Sequence, residues 1–234
     1  MLKRKIEKYL ADWKRSEGKK PLVIKGIRQC GKTYIVRKFA RENYESVVYV
    51  NFILEPDKKS AFAGNMDVEA IILNLSALIP GCRFVEGKTC IILDEIQECK
   101  EARTALKSFH IDGRFDVIAT GSLLGVKGYG STKRKLEEYS QDSVPVGYET
   151  LVDMYPLDFE EFLWAKGYDE STIQEMLEHM IQLKSFNEIE MSIYSSLFLD
   201  FCILGGMPAV VREYIEKGTF EGSIDIQKQL VADY

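Results

Sequence analysis

Hydrophobic residues along the chain form short continuous runs that alternate with helical repeats. We predict a buried strand at each of five runs: 21–26 (PLVIKG), 46–52 (SVVYVNF), 89–94 (TCIILD), 115–120 (FDVIAT) and 146–154 (VGYETLVDM). Apolar residues recur at helical spacing before and between the first four runs, at 2–13, 35–40, 68–79 and 102–109. Apolar strands that alternate with amphipathic helices favour a mainly parallel sheet covered on both faces. Ligands bind such sheets at the carboxyl ends of the strands.

The pattern changes near residue 156, where strand-like runs give way to helical repeats. Asp158 is followed three residues later by Glu161, which predicts a capping box at the start of a helix. Helical spacing continues at 173–181 and 193–201, and Gly205 and Gly206 before a proline indicate that one helix stops and another starts. We therefore expect an α/β domain at 1–155 and a small helical subdomain at 156–234.

Residues 26–33 read GIRQCGKT and match the phosphate-loop pattern GxxxxGK[ST] at Gly26, Gly31, Lys32 and Thr33. The octet leaves a predicted strand and enters a predicted helix, which is the setting that this motif requires. Its glycines would let successive backbone N–H groups point inward, reinforced by the positive end of the following helix. The alternative is a glycine turn that caps a helix beside a surface lysine.

The phosphate-loop interpretation assigns a role to each polar residue of the octet. Lys32 would neutralise the β and γ phosphates, and the Thr33 hydroxyl would bind Mg²⁺. Arg28 could contact phosphate or could pair with surface carboxylates, and the sequence favours neither. The predicted nucleotide-binding residues of this segment are Gly26, Ile27, Arg28, Gln29, Cys30, Gly31, Lys32, Thr33 and Tyr34.

Two carboxylates follow the strand predicted at 89–94. Asp94 would lie at the carboxyl end of a central strand, beside the phosphate loop, where it would bind Mg²⁺ directly or through water. Glu95 is placed to polarise a water molecule for attack on the γ phosphate, which is general-base chemistry. The alternative is that acidic residues follow the strand only because strands end at solvent.

The next predicted strand also ends in polar residues. Thr120, or alternatively Ser122, would lie between the phosphate loop and the pair Asp94 and Glu95. A hydroxyl there could hydrogen-bond the γ phosphate or the attacking water. An ordinary turn at the end of a strand explains the same residues equally well.

The composition limits the classes of function. The 234 residues carry a formal net charge of −5, with 46% apolar and 29% charged residues, which is typical of globular proteins. Mild acidity argues against a protein whose main task is to coat nucleic acid, although the basic cluster 133–135 could contact phosphate. The five cysteines form no CxxC pair and there are two histidines, so no zinc-ligand spacing exists and we expect reduced thiols. The chain carries neither a secretory signal pattern nor an apolar run long enough to span a bilayer, and we expect a cytoplasmic protein.

Several segments taken together resemble a known group. GIRQCGKT, IILDEIQ, IATGS, YPLDFEEFL and GGMPAVV, in this order, resemble the prokaryotic ATPases of the AAA+ superfamily and its signal-transducing STAND relatives. The particular group has an N-terminal ATPase domain, then a winged helix and a C-terminal nuclease-like domain of unknown function. The resemblance covers nearly the whole chain. It implies a three-layer αβα P-loop NTPase fold with a five-stranded sheet of order 5-1-4-3-2, and a C-terminal helical lid.

The resemblance also implies functional roles. The resemblance implies that Lys32 contacts phosphate and that Thr33 binds Mg²⁺, as the loop pattern also predicts. Asp94 and Glu95 become the second motif, and Thr120 becomes a polar sensor. Pro208, in the GGMP element, is implied to pack near the nucleotide.

This sequence departs from the group's pattern in two places. Members usually carry Gly-Arg where this chain has Gly147 and Tyr148, so an arginine that would neutralise phosphate charge is missing there. Arg103, Arg114 and Arg134 are possible substitutes. The sequence also ends at QKQLVADY, where the group would continue into its winged helix, so we expect a fragment or a gene product that lost its effector.

We therefore expect a Mg²⁺-dependent ATPase domain that binds ATP and ADP and uses nucleotide state to move its helical lid and a C-terminal effector domain. The alternative is a nucleotide-locked interaction or signalling module with negligible turnover, which the tyrosine at position 148 favours. A GTPase is disfavoured because no NKxD or TKxD segment is present to read guanine, and nothing indicates the acceptor site of a kinase.

Overall fold

A computed structural model describes residues 2–122 and 147–233 of the chain. The chain divides into two compact units, Leu10–Met154 on the one hand and Met1–Tyr9 with Tyr155–Tyr234 on the other. We refer to them as the sheet unit and the helical unit. No helix in the described residues is both long and apolar enough to cross a membrane.

The sheet unit is built on five parallel strands, which confirms the predicted fold. The strands are β1 (Leu22–Gly26), β2 (Ser46–Asn51), β3 (Thr89–Asp94), β4 (Asp116–Ser122) and β5 (Thr150–Met154). Their spatial order is β2-β3-β4-β1-β5, which is the order 5-1-4-3-2 that the resemblance implies. The last strand begins at Thr150 rather than in the run from 146, because Gly147 has a φ of 88°, a turn conformation that does not fit a strand.

Helices α2 (Lys32–Asn43), α3 (Val68–Leu78) and α4 (Lys100–Asp112) cover the sheet, with short 3₁₀ helices at Pro56–Phe62 and Ile96–Glu98. Helix α1 (Lys5–Arg15) precedes the first strand and has residues in both units. Val48, Val50, Ile91 and Leu93 pack with α3 and α4 in one hydrophobic core. Side chains alternate along each strand, so the opposite face of the same strands carries the residues in between, including Asn51 and Asp94.

The helical unit contains α5 (Phe159–Ala165), α6 (Glu170–Ile181), α7 (Glu188–Leu204), α8 (Pro208–Lys217) and α9 (Glu221–Asp233). The predicted capping box is present at the start of α5, where the Glu161 N–H donates to Asp158 Oδ1 at 2.9 Å and the Asp158 N–H donates to Glu161 Oε2 at 3.3 Å. Helix α7 ends at Leu204 and α8 begins at Pro208, as the two glycines predict.

The first residues of the chain join the helical unit through a buried ion pair. Arg4 Nε lies 3.1 Å from Glu161 Oε2, and both side chains are only 6% exposed. Glu161 Oε1 also accepts from the Lys5 N–H at 2.7 Å, and the Arg4 guanidinium donates to the Tyr155 carbonyl at 2.7 Å. Glu161 therefore caps α5 and anchors the N-terminal segment at the same time.

Gly206 brings together two of the segments that carry the family resemblance. The Leu157 N–H donates to the Gly206 carbonyl at 2.7 Å, and a Cβ added to Gly206 would lie 2.0 Å from the Leu157 carbonyl oxygen. Any side chain at position 206 would collide with this backbone. Packing alone therefore requires Gly206, the second glycine of GGMP.

Candidate functional site

The loop 26–33 joins the end of β1 to the start of α2 at the carboxyl edge of the sheet. Gln29 (φ 60°) and Gly31 (φ 97°) both adopt left-handed backbone conformations, so the loop curls sharply before the helix begins. Gly31 is the residue that precedes α2 and has no side chain to cap it. The N–H groups of the first turn of a helix have no intrahelical partner, which favours an anion at this end.

Close packing against β5 requires a glycine at position 26, in addition to its place in the loop motif. A Cβ at this position would lie 2.2 Å from the carbonyl oxygen of Met154, the last residue of β5. The neighbouring Cys30 is buried, and its thiol lies 3.6 Å from the same carbonyl. Arg28, Gln29 and Tyr34, by contrast, have exposed side chains. Among the predicted nucleotide-binding residues, Cys30 therefore stabilises the loop against β5.

Lys32 places its ammonium group inside the loop. Its side chain is only 6% exposed, although it is the first residue of α2. Nζ donates to the carbonyl oxygens of Gly26 at 2.9 Å and Ile27 at 2.7 Å. A buried lysine needs such partners, since an unpaired charge is costly to bury. The loop thus surrounds a concentrated positive charge.

Asp94 is the centre of a buried hydrogen-bond network. The residue is 1% exposed. Thr33 Oγ1 lies 3.1 Å from Oδ1 and 3.0 Å from Oδ2, while the Thr120 hydroxyl donates to Oδ1. Tyr49 and Asn51 donate to Oδ2 at 2.7 and 2.9 Å. Four side chains from α2, β2 and β4 therefore converge on one carboxylate.

Thr33 and Asp94 fit the requirements of a magnesium ion. Hydroxyl and carboxylate oxygens are the hard ligands that Mg²⁺ takes, and two adjacent ligands of an octahedron with 2.0–2.1 Å metal–oxygen bonds lie about 2.8–3.0 Å apart. The Thr33 and Asp94 oxygens are 3.0 and 3.1 Å apart. Two protein ligands suit Mg²⁺, which retains several waters and binds substrate phosphates.

Glu95 has an unusual backbone conformation. Its φ of 56° and ψ of 48° lie in the left-handed region, which non-glycine residues rarely adopt. Gln97 Nε2 donates to Glu95 Oε2 at 2.6 Å. Strained backbone of this kind is often found at functional sites. The sequence indicated neither the conformation nor the contact with Gln97.

The structure distinguishes the two polar candidates at the end of β4. Thr120 lies on the same face of the sheet as Asp94 and donates to it. Ser122 is two residues further, at the end of β4, where it pairs in register with Gly26 of the loop. Thr120 therefore belongs to the Asp94 network.

Tyr49 and Asn51 were missed by the sequence analysis, which treated 46–52 only as a strand. Asn51 pairs in register with Asp94, and Tyr49 lies two residues earlier on the same face of the sheet. Two polar side chains at alternate positions near the carboxyl end of an otherwise apolar strand were the signal available. That signal could not be used without knowing that β2 pairs with β3.

Two of the three substitute arginines have partners within the sheet unit. Arg103 pairs with Glu149 at 3.3 Å, and burial raises the pKa of Glu149 although Arg103 opposes the shift. Arg114 pairs with Asp112 at 2.7 Å and with Glu69 at 2.6 Å, and its hydrogen bonds lower the pKa of Asp112. Arg134 and the basic cluster 133–135 lie outside the described residues. Tyr148 contacts His110, with their ring centroids 5.8 Å apart.

Pro208 is the first residue of α8 in the helical unit. This position suits proline, because the first turn of a helix needs no N–H from it. Its predicted role near a nucleotide remains a proposal.

Comparisons with known proteins place this site in context. Residues 18–163, more than half of the chain, match the AAA domain family. A search of curated proteins finds no match. The Walker-type ATPase PABY2304 of Pyrococcus abyssi is structurally similar, with a TM-score of 0.53 and 17% identity over 100% of this chain and 74% of that chain.

A second similar structure is the signal transduction ATPase with numerous domains (STAND) protein PH0952 of Pyrococcus horikoshii, which has a tetratricopeptide repeat sensor. Its TM-score is 0.46 at 17% identity, and the match covers 98% of this chain but 32% of that chain. The five-stranded parallel sheet and the loop before α2 form a P-loop NTPase fold. With the family match over 18–163, the chain belongs to the AAA domain family.

Proposed function

We propose that the chain binds ATP together with Mg²⁺ and hydrolyses it. The observation that carries this proposal is the convergence of Thr33, from the loop motif, and Thr120, from β4, on Asp94. Structural packing alone does not require three polar residues from separate motifs to meet in a buried cluster, because buried polar groups cost free energy unless all are paired. The positive loop around Lys32 lies at the start of the helix that supplies Thr33.

The proposed roles follow from charge and reach. Lys32 would exchange its bonds to the loop carbonyls for bonds to phosphate oxygens, where its charge has a stronger partner. Thr33 and Asp94 would hold Mg²⁺, directly or through water. An ion held there would supply positive charge that offsets the negative charge developing on the phosphates during phosphoryl transfer. Glu95 would orient and polarise the attacking water, and Thr120 would fix Asp94 and sense the γ phosphate.

We further propose that nucleotide state alters the helical unit. Pro208, at the start of α8, would lie near the nucleotide as the family resemblance implies. A nucleotide-dependent change at residues 156–234 would couple the site to an effector or protein partner. The net charge of −5 gives no support to nucleic acid as that partner.

A second candidate is a nucleotide-locked module with negligible turnover. It is favoured by Tyr148, which stands where the family resemblance expects an arginine. The ion pairs of Arg103 and Arg114 also favour it, because each arginine already neutralises a carboxylate. Without an arginine on the γ phosphate, hydrolysis would be slow and tight binding would dominate.

Phosphate release from ATP and GTP tests the proposal and separates the two candidates. We would compare the wild type with Glu95→Gln, which keeps the size and the hydrogen bonding of the side chain but removes the base. Glu98→Gln is the matched control, since Glu98 is an exposed carboxylate at the end of the short 3₁₀ helix that Glu95 precedes. Magnesium-dependent release from ATP that falls about 100-fold in Glu95→Gln and not in Glu98→Gln would support the ATPase.

The other outcomes are equally informative. If the wild type binds ATP tightly and shows no phosphate release that Glu95→Gln reduces, the nucleotide-locked module is selected. Absence of nucleotide binding by the wild type would contradict both candidates.

A further inference from the structure

The sequence did not predict the contacts that Tyr49 and Asn51 make with Asp94, and the contact of Tyr49 is the shorter of the two. The Tyr49 hydroxyl donates to Asp94 Oδ2 at 2.7 Å and accepts from Asn51 Nδ2 at 3.2 Å. The orientation of the Asn51 amide is fixed, since its Oδ1 accepts from the N–H groups of Ile53 and Leu54 at 3.0 and 2.9 Å. The Asn51 amide nitrogen therefore points toward both the Tyr49 hydroxyl and Asp94.

The ring of Tyr49 also contacts a residue of α2. The guanidinium of Arg37 lies 4.5 Å from the ring centroid, within the range of a cation–π contact. Arg37 is four residues after Thr33, so both lie on the same face of α2. One helix face thus contacts Asp94 through Thr33 and the Tyr49 ring through Arg37.

The two oxygens of Asp94 have different partners. Tyr49 and Asn51 both donate to Oδ2, the Thr120 hydroxyl donates to Oδ1, and Thr33 Oγ1 lies within 3.1 Å of both oxygens. A carboxylate offers about four lone-pair sites, so a Mg²⁺ ion bound directly by Asp94 would take the site that Thr33 now contacts. The contacts from β2 would remain and would hold Oδ2 in place.

We propose that Tyr49 is a positioning residue that orients Asp94 for Mg²⁺ in the nucleotide site. This inference rests on the proposed function, because it assigns to Tyr49 a role in the same Mg²⁺–nucleotide complex. Residues that orient a metal ligand typically change metal affinity 10–100-fold when they are lost. Tyr49 acts through Asp94 and need not touch the metal or the nucleotide.

The chemistry of the phenol suits this role. The Tyr49 hydroxyl donates to Asp94 Oδ2 at 2.7 Å and carries no charge of its own. A fixed neutral donor orients Asp94 without cancelling the charge that attracts the cation.

The test compares two tyrosine-to-phenylalanine variants. Tyr49→Phe removes one hydroxyl and leaves the ring under Arg37. Tyr44→Phe is the matched control, because the Tyr44 hydroxyl also donates to a carboxylate, Asp116 Oδ2 at 2.6 Å, at the beginning of β4 and away from the loop. Binding of a non-hydrolysable ATP analogue would be measured by calorimetry in EDTA and at a series of Mg²⁺ concentrations. Melting temperatures of both variants would report the structural effect of each lost hydroxyl.

We expect Tyr49→Phe to need about 10-fold more Mg²⁺ for the half-maximal enhancement of binding, with unchanged affinity in EDTA and full recovery at high Mg²⁺. Tyr44→Phe should keep the wild-type Mg²⁺ dependence whatever it does to the melting temperature. An identical Mg²⁺ dependence in Tyr49→Phe and wild type would overturn this inference alone. Wild-type protein that binds no nucleotide would instead overturn the proposed function, and this inference with it.

Discussion

The Thr33 hydroxyl lies 3.1 Å from Oδ1 and 3.0 Å from Oδ2 of Asp94, a residue 61 positions away in the sequence. The contact exists because α2 starts at the carboxyl edge of the sheet, where β3 also ends. A parallel sheet collects the ends of its strands at one edge, so distant motifs meet there. This pair is the geometric basis of the proposed magnesium site.

The first prediction concerns the hydroxyl of Thr33. Thr33→Val keeps the shape of the side chain but removes the oxygen, and it should weaken Mg²⁺-dependent nucleotide binding at least about 10-fold. Thr33→Ser retains the oxygen and serves as the control, with binding near that of the wild type. Calorimetry with the ATP analogue at fixed Mg²⁺ measures both. Equal affinities of the valine and serine variants would remove Thr33 from the metal site.

The second prediction concerns the close backbone approach at Gly206. Gly206→Ala places a methyl group against the Leu157 carbonyl and should destabilise the helical unit by about 1–3 kcal/mol. Gly222→Ala, in helix α9 of the same unit, is the control. Its methyl group would meet the Glu213 side chain, which is flexible and can move away. Urea unfolding followed by circular dichroism gives the two free energies. Equal stabilities would contradict the packing explanation of Gly206.

The third prediction concerns the buried pair of Arg4 and Glu161. Glu161→Gln keeps the hydrogen-bond acceptor for the Lys5 N–H but removes the negative charge 3.1 Å from Arg4 Nε, and the loss of one partner of a buried pair typically costs 3–5 kcal/mol. Arg4→Met added to Glu161→Gln should recover part of this loss, because it removes the positive charge that Glu161 neutralises. A double-mutant cycle on unfolding free energies measures the coupling. A coupling near zero would mean that the pair does not anchor the N-terminal segment.

The fourth prediction follows from the raised pKa of Tyr49. The ordinary value is 10.0 and the folded value is about 12, so folding favours the protonated phenol. This contribution to stability is fully present below pH 10 and is lost as the pH rises from 10 to 12, because the unfolded chain ionises first. Tyr49→Phe should therefore lose less unfolding free energy than the wild type between pH 10 and pH 12. Parallel losses in the two proteins would show that the phenol is not held protonated.

Parts of this structure follow from the sequence because they depend on local patterns. Apolar runs at 89–94 and 115–120 correspond to β3 and β4, and Asp158 with Glu161 predicted the capping box of α5. These features depend on side-chain periodicity and on hydrogen bonds between residues three apart. The spatial order of the strands, in contrast, came from the family resemblance.

Features that depend on strand pairing were not predictable in the same way. Tyr49 and Asn51 reach Asp94 only because β2 lies next to β3 in matching register. The pair of Arg4 and Glu161 joins residues far apart in the chain, and neither belongs to a recognisable motif. The left-handed conformation of Glu95 is also invisible in the sequence, because glycine is the usual residue there.

Titration of the protein with an ATP analogue tests the central claim most directly. Calorimetry in the presence of Mg²⁺ would compare the wild type, Lys32→Ala and Lys88→Ala, a control lysine that lies on the surface of the sheet unit and pairs with Glu45. We predict that Lys32→Ala weakens binding about 100-fold, equivalent to about 2.7 kcal/mol, and that Lys88→Ala binds like the wild type. Undiminished binding by Lys32→Ala would contradict the phosphate loop, and with it the nucleotide site.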